Sequence, residues 1–518
     1  MVKRTRRKDF SEESSSSEFE PIPSSNKRSR RRRPLAARKA PSASQTVVSE
    51  TYDTPHSLSQ HSISSPGLMR PPLLEWYSRV HATRGMPWRK PFDPSLDADA
   101  RAQRAYEVWI SEIMLQQTQV ATVIPYYNRW MESFPTIKDL AASDIDTVNS
   151  MWKGLGYYSR AARLLAAAKK VVEELDGRLP DNAKDMETLI PGVGRYTAGA
   201  ICSIAFNEQV PVLDGNVSRL ISRFLAIHAP PKSKASLDLL WKGAQAIVEG
   251  ATCAGDVNQA LIELGSTVCK PLKPDCGSCP LRPWCRARQI SEKEEVENGD
   301  IEDLCNVCDP IPVSEGLDAP SVTTYPMKVE RKKQREELNV VSVVEWRNDD
   351  DRWFLLCRRP EGGLLAGLHE FPTSPEVPTS ISPSEESETA MTLLSSLIKS
   401  PLDPCSGAED TAGSTTVRLV KIERAGDVLH VFSHIRKTYR VQWVVLEGGG
   451  TCPPELAQRS TSAVARKQGS KKSKVSDSSP EIESMWVHFD GVEEANIGTG
   501  VQKVWSLVCS LWLPKGNK

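Results

Sequence analysis

Four cysteines, Cys269, Cys276, Cys279 and Cys285, separated by six, two and five residues, constrain this chain more than any other feature of its sequence. Pro271, Pro274, Pro280 and Pro283 exclude a continuous helix through them, because proline has no amide donor and its ring clashes with the preceding turn. The thiolates can therefore converge from one loop. Four thiolates suit a [4Fe–4S] cluster or a structural zinc. Zinc sites usually pair two CxxC knuckles and this run holds one, which favours the cluster while leaving zinc open. Lys270, Lys273 and Arg282 make the loop basic, so ligation would brace that surface against a polyanion. Ligation that only stabilises the fold is compatible with this.

Twelve cysteines in all, with no apolar secretory core near residue 1, speak for metal, redox chemistry or buried thiols rather than a disulfide framework. At 518 residues the chain can hold two or three domains with substantial cores. No apolar run approaches the ~18 residues of a membrane span. Lys+Arg and Asp+Glu are equal at 66 each, but unevenly spread. Residues 1–40 hold 13 basic and 5 acidic side chains, and residues 291–303 hold 7 acidic and 1 basic. A neutral total thus leaves a polyanionic partner open.

Residues 1–70 are rich in Ser, Pro and Arg and poor in aromatics, so they cannot bury enough apolar area to offset chain entropy; a disordered basic tail is expected. Its run Lys27–Arg33 (KRSRRRR) reads as a nuclear-import signal or a phosphate-binding arm. The acids Asp9, Glu12 and Glu13 argue against a mitochondrial presequence, which makes the nucleus the first expected location and the mitochondrion the second.

Residues 71–290 read as an all-α domain. Tyr106–Gln117, Ala161–Leu175, Tyr196–Phe206 and Val217–Ile227 repeat apolar residues at helical spacing. Residues 291–335 form an acidic connector. Residues 336–512 read as α+β: NVVSVVEW and RWFLLCRRP pair as strands across the polar turn Asn348–Asp351, and VRLVKIERA, VLHVFSHI and TYRVQWVVL are three further strands. Residues 373–415 and 451–481 are expected as long loops, and Val501–Leu511 as a closing helix.

Two turns and two acids carry candidate chemistry. Leu189–Arg195 (LIPGVGR) lies between helical patterns; Gly192 and Gly194 permit a tight turn, and the helix starting near Arg195 can offer its amides to a phosphate. Asp214 precedes a helix whose end amides should favour its anion. Glu112 lies in the apolar helix VWISEIMLQQ, where burial should favour its protonated form. One acid and one anion is what cleavage of a glycosidic bond requires. From pattern alone, an N-cap and a solvated helix residue explain the two acids as well.

The motifs MPWRK (Met86–Lys90), SEIMLQQTQV (Ser111–Val120), GLGYYSRA (Gly154–Ala161), LIPGVGRYTAGAI (Leu189–Ile201), VLDGNVSR (Val212–Arg219) and NQALIELGSTVC (Asn258–Cys269) closely resemble the MutY-type adenine DNA glycosylases of eukaryotes. These belong to the endonuclease III, helix–hairpin–helix superfamily, whose iron–sulfur loop has the cysteine spacing found here. The resemblance implies a monofunctional base-excision-repair glycosylase that removes adenine opposite 8-oxoguanine or guanine and leaves an abasic site. Strand-cutting relatives carry a Schiff-base lysine directly after GVGR; Tyr196 stands there, and a phenol cannot form that imine.

The resemblance also implies roles. Adenine is flipped out of the duplex. Glu112 protonates its N7, and Asp214 stabilises the oxocarbenium-like sugar or captures it covalently for a time. Tyr196 and Asn216 orient carboxylates and sugar. Arg84, Trp88, Arg89, Leu115 and Gln259 line the adenine pocket, with core packing the alternative for Trp88. Gln117 and Tyr157 wedge into the base stack, with core packing again the alternative for Tyr157, and Gly192, Gly194 and Arg195 hold the DNA backbone.

Residues 338–510 resemble, more weakly, the Nudix-like lesion-recognition domain of the same enzymes. GLLAGLHEFP (Gly363–Pro372) matches its signature loop, and VFSHIRKTY (Val431–Tyr439) its lesion-facing segment, where Phe432, Ser433 and His434 would contact 8-oxoguanine. The REXXEE metal helix of Nudix hydrolases is not evident in the Pro-interrupted TSPEVPTSISPSEESET, so no nucleotide pyrophosphatase activity is expected. Animal relatives place a zinc linchpin in the connector. Cys305 and Cys308 stand there without a third cysteine, and His56 or His61 could complete a second zinc site; a ligand-free thiol pair is the alternative.

Two other functions stay open on the sequence: an endonuclease III-type pyrimidine glycosylase with lyase activity, and a non-catalytic Fe–S DNA-binding or redox-sensing protein. The expected partners are mispaired double-stranded DNA and replication or repair proteins docking on the connector. A monomer is expected.

Overall fold

The computed structural model describes residues 51–52, 56–292, 303–312, 320–329, 333–348, 351–360, 365–400, 402–404, 417–432, 434–457, 459–460 and 481–512. The run Lys27–Arg33 and Ser433 lie outside the described residues. In chain order the helices are α1 (Pro66–Val80), α2 (Ala98–Leu115), α3 (Val120–Ser133), α4 (Ile137–Ala142), α5 (Ile145–Trp152), α6 (Ser159–Glu174), α7 (Ala183–Leu189), α8 (Arg195–Phe206), α9 (Gly215–Phe224), α10 (Lys234–Val248), α11 (Ala254–Thr267), α12 (Arg286–Ser291), α13 (Pro383–Leu397) and α14 (Thr499–Cys509). The strands are β1 (Thr51–Tyr52), β2 (Ile311–Pro312), β3 (Arg335–Asn348), β4 (Asp351–Arg358), β5 (His369–Glu370), β6 (Thr373–Ser374), β7 (Leu402–Pro404), β8 (Val417–Val431), β9 (Ile435–Gly448), β10 (Arg459–Ser460), β11 (Glu481–Ile482) and β12 (Ser484–His488).

The described residues fall into two compact units, one within Met1–Ile124 and Leu175–Arg331, the other within Pro125–Glu174 and Lys332–Lys518. The stretch Pro125–Glu174, expected inside a continuous helical domain, thus clusters with the C-terminal residues. Helix periodicity shows that a segment buries a stripe; it does not show against what.

The first unit is helical, as its periodicity implied. Its core joins Leu73 and Tyr77 of α1, Val217, Leu220, Ile221 and Phe224 of α9, and Val257, Leu261 and Leu264 of α11. Two boundaries differ from expectation. Residues 56–70, read as part of a disordered tail, are built in: His61 is buried, its Nδ1 lies 2.9 Å from the carbonyl of Leu225, and α1 begins at Pro66. Parts of the connector are built in too. Val322 and Tyr325 bury against Ala287, β1 pairs with β2, and the Cys305 amide donates to the His56 carbonyl. Composition under-reads such segments because a few long-range contacts from His, Tyr and Cys secure them.

The second unit holds an eight-stranded sheet in the order β12-β4-β3-β9-β8-β7, with β5 on β4 and β6 on β3. β3 pairs parallel with β9 and antiparallel with β4, the latter as expected across the Asn348–Asp351 turn. One face packs Val341, Val343 and Phe354 against Val504, Trp505 and Val508 of α14. The other packs Val344, Trp346, Leu355 and Leu446 against Leu394 and Leu397 of α13. Burial on both faces is why NVVSVVEW runs apolar without alternation.

Two expectations fail here. VRLVKIERA and the first four residues of VLHVFSHI are one strand, β8, which ends at Val431 and is kept in register with β9 by bulges at Leu419/Lys421 and Arg424/Gly426. Within the expected loop 373–415, Pro383–Leu397 is helical: Ser382 and Glu385 form a capping box, and Pro383 sits in the first turn, where its missing amide costs nothing. Two of its acids are engaged, Glu386 with Arg440 at 2.8 Å and Glu385 with the Ser382 amide at 2.7 Å.

Candidate active site

The site forms where α2, α8, α9 and α11 meet in the first unit. Glu112, on the fourth turn of α2, is only 8% exposed. The Tyr196 hydroxyl, on the first turn of α8, donates to Glu112 Oε2 at 2.8 Å. Burial pushes the Glu112 carboxyl up to about 7, the Asp214 charge adds to this, and Tyr196 and Arg89 pull it down. The Tyr196 phenol is driven well above its ordinary range, first by burial and then by the charges of Glu112 and Asp214. The two carboxylates and the phenol therefore share one electrostatic environment.

Asp214 caps α9. Its Oδ1 accepts from the Val217 amide at 2.7 Å, and its Oδ2 accepts from Asn216 Nδ2 at 2.9 Å. The helix-end amides do favour its anion, as expected, but burial outweighs them and the net displacement is upward, against the pull of Val217, Asn216 and Arg219. α11 comes close enough that a Cβ on Gly265 would stand 2.7 Å from the Asn216 carbonyl oxygen.

Of the expected pocket residues, Trp88 and Gln259 are buried, and Leu115 is half-buried at the end of α2, one turn beyond Glu112. Arg84 and Arg89 converge on one residue that the sequence reading missed, Glu263, at 3.3 and 2.8 Å. Glu263 is almost wholly buried and lies one turn after Gln259 on α11, so the four-residue spacing of Gln259 and Glu263 was a usable signal. Arg89 Nη1 is buried with no hydrogen-bond partner among the described residues.

The hairpin α7–α8 has the expected form. Gly192 takes φ +79, open to glycine without strain, and α8 starts at Arg195 with Gly194 as an N-cap that contributes no side chain. The Arg195 guanidinium lies 3.8 Å above the Trp241 ring. Gln117, just past α2, is exposed and held at φ +55, a left-handed conformation that non-glycine residues adopt at some cost.

The four thiols line one cavity together with Leu220, Arg223 and Phe224. α9 presents Arg219 and Arg223 to this loop, another pair outside the sequence reading, four residues apart on one helix face. Arg219 Nε donates to the Cys269 carbonyl at 2.9 Å. Arg223 reaches Cys269 Sγ at 3.3 Å and the carbonyls of Lys270 and Pro271 at 2.7 and 2.8 Å. Burial pushes the Cys279 and Cys285 thiols up to about 12, so ligation as thiolates calls for a compensating cation. In the same unit, His56, His61, Cys305 and Cys308 bring one ligand atom each within 4.8 Å of the others, a group able to hold a metal ion.

In the second unit, Tyr157 is 45% exposed at φ +51, in a loop where Gly154 takes φ +94 and would carry a Cβ 2.5 Å from the Tyr126 hydroxyl. The indole of Trp152 and the guanidinium of Arg160 both donate to the Gly156 carbonyl, at 2.9 and 3.0 Å. Phe432 and His434 lie at the turn joining β8 to β9 rather than inside a strand; the Phe432 amide donates to the Ile435 carbonyl at 2.8 Å, and His434 is exposed.

Residues 110–245 match the HhH-GPD superfamily base excision DNA repair protein family, and residues 342–507 match the NUDIX domain. The chain is 42% identical over 390 residues to adenine DNA glycosylase of Homo sapiens, covering 73% of this chain and 66% of that one. It is 41% identical over 396 residues to the Mus musculus enzyme, covering 74% and 72%. To the Schizosaccharomyces pombe enzyme it is 36% identical over 412 residues, covering 76% and 85%. The match thus spans about two thirds of the human protein's length. With the acid–phenol pair on α2 and α8, the hairpin before α8 and these relatives taken together, the chain belongs to the adenine DNA glycosylase family.

Proposed function

We propose that this chain hydrolyses the N-glycosidic bond of adenine paired with 8-oxoguanine or guanine, without cutting the strand. The observation that carries this reading is the Tyr196–Glu112 pair: a fully engaged phenol stands where a lyase needs an amine, and it faces a carboxyl whose burial keeps it available as an acid near neutrality. Glu112 gives its proton to N7 of the extruded adenine, and the C1′–N9 electrons leave with the base. Asp214, aimed by the Val217 amide and Asn216, stabilises the positive charge developing on the sugar. Water completes an abasic site. Trp88, Leu115 and Gln259 would bound the adenine, and Arg89 would offer its unpartnered Nη1 to it. Gln117 and Tyr157, each in a left-handed conformation, suit wedges into the base stack, and Phe432, Ser433 and His434 suit the contact to 8-oxoguanine. The amides of α8, with Gly192, Gly194 and Arg195, suit the DNA backbone.

Cys269, Cys276, Cys279 and Cys285 would hold a [4Fe–4S] cluster, whose contribution is to ligate and stiffen the basic loop. His56, His61, Cys305 and Cys308 would hold zinc. Tetrahedral zinc sets nitrogen and sulfur ligands about 3.3–3.8 Å apart. Here His61 Nε2 lies 3.1 Å from His56 Nε2, 3.4 Å from Cys305 Sγ and 3.3 Å from Cys308 Sγ, somewhat closer than that spacing, so the donors would part slightly around the ion. The Lys27–Arg33 run supports a nuclear location, and the connector a repair-protein partner.

The test is single-turnover incubation with duplexes carrying adenine opposite 8-oxoguanine. Free adenine and an alkali-labile site, with no borohydride-trapped adduct, are expected. A trapped adduct would identify the lyase reading instead, and intact DNA from protein with its metals loaded would exclude both.

A further inference from the structure

α5 carries two opposite charges seven residues apart on one face, Asp146 near its start and Lys153 at its C-cap. The Lys153 ammonium donates to the backbone carbonyls of Glu493 and, at 3.1 Å, of Ala495. Those carbonyls belong to the turn between β12 and α14, with Glu493 and Glu494 adding negative charge beside the ammonium. The Asp146 carboxylate acts on the ring of His369 in β5. The His369 amide in turn donates to the Asn496 carbonyl at 2.8 Å, in the same turn. Both ends of α5 thus face one corner of the Nudix-like sheet.

Lys153 is also the residue from which the Tyr157 loop departs. Its own carbonyl accepts from the Tyr126 hydroxyl at 2.7 Å, and the next amide, Gly154, donates to the Tyr158 hydroxyl at 3.2 Å. With Trp152 and Arg160 fixing Gly156, the loop has little slack, and a displacement at Lys153 reaches Tyr157.

We propose that Lys153 is a positioning residue that couples the β12–α14 turn of the lesion-reading domain to the Tyr157 wedge loop, so that extrusion of adenine depends on what stands opposite it. This rests on the function proposed above. An ammonium bound to two carbonyls is a charge-assisted contact, and truncating it leaves both acceptors without their donor. Because the acceptors are main-chain atoms, the side chains at 493–495 are free to vary while the contact persists.

The test uses the full chain with its metals, in single-turnover excision of adenine opposite 8-oxoguanine and opposite guanine. Lys153→Ala is expected to lower the preference for 8-oxoguanine about tenfold, with the rate opposite guanine and the Tm little changed. Lys153→Arg, which keeps the donors, is expected to restore the preference. An unchanged preference in Lys153→Ala, rates falling equally on both substrates, or no rescue by arginine would overturn the coupling. Wild-type protein without preference for 8-oxoguanine would instead overturn the functional reading on which it rests.

Discussion

Tyr196 and Glu112 share a hydrogen bond of 2.8 Å between the first turn of α8 and the fourth turn of α2. The phenol fixes one carboxyl oxygen and leaves the other to carry a proton toward a ligand. Glu112→Gln keeps an acceptor for Tyr196 but has no proton to give. Excision is expected to fall by about 10²–10⁴, while binding of mispaired DNA, read by gel shift, is retained. Normal turnover in this variant would place the acid elsewhere.

The same pair sets a pH dependence. Burial raises Glu112 to about 7, so the acid form is depleted as pH rises through that value, and the single-turnover rate should decline on the alkaline side. The Tyr196 hydrogen bond favours the charged carboxylate and pulls the value down. Tyr196→Phe should therefore move the alkaline break to higher pH. A break that stays in place, or moves down, would show that another group titrates there.

Asp214 caps α9 and, in the proposed mechanism, is also the counter-ion to the sugar; one substitution separates the two. As N-cap it accepts from the Val217 amide, which asparagine also does well. As counter-ion it needs its charge, which asparagine lacks. Asp214→Asn should thus leave the Tm near wild type and lower excision about 10²–10³-fold. Asp214→Ala loses the cap as well and should cost about 1 kcal/mol of stability, measurable by thermal unfolding.

The cysteine loop and the hairpin were legible because each is made by residues close in sequence, whereas Glu112 and Tyr196, 84 residues apart, were linked only by the resemblance. Glu263 was missed, because its four-residue spacing from Gln259 marks a shared helix face but not the pairing with Arg84 and Arg89. Arg219 and Arg223 were hidden in the same way, because a basic residue on an amphipathic helix ordinarily reads as solvated. The sequence also misjudged 383–397: serines and prolines suggested a loop, yet Ser382, Pro383 and Glu385 are the cap and first turn of α13. Long-range docking of short segments, as at Val322 and Tyr325, leaves no local pattern at all.

Gly265 tests how tightly the site is set. A methyl there would meet the Asn216 carbonyl oxygen at 2.7 Å and its carbon at 2.8 Å, both main-chain atoms that cannot rotate away. Gly265→Ala should push α11 from the start of α9, displacing Asn216 and Asp214 together. An overpacking cost of about 1–3 kcal/mol is expected, with a loss of excision rate larger than the fall in folded fraction explains. A stable and fully active Gly265→Ala protein would mean that the N-terminal end of α9 tolerates movement.

The group His56, His61, Cys305 and Cys308 gives the last test. His61 Nδ1 lies 2.9 Å from the carbonyl of Leu225, the C-cap of α9, which orients the ring so that Nε2 faces both sulfurs and His56. A second-sphere bond of this kind fixes the tautomer of a ligating histidine. Burial lowers His61 to about 4 and raises Cys308 to about 12, so both of these donors are held neutral near pH 7. Protein purified without added metal should contain about one zinc in addition to the iron proposed for the Cys269–Cys285 loop. Cys305→Ser combined with Cys308→Ser should remove the zinc and spare the iron, because the Cys269–Cys285 loop supplies its own four thiols. Zinc content unchanged by the double substitution would show that the metal is held elsewhere, and iron lost along with zinc would show that the two sites are not independent.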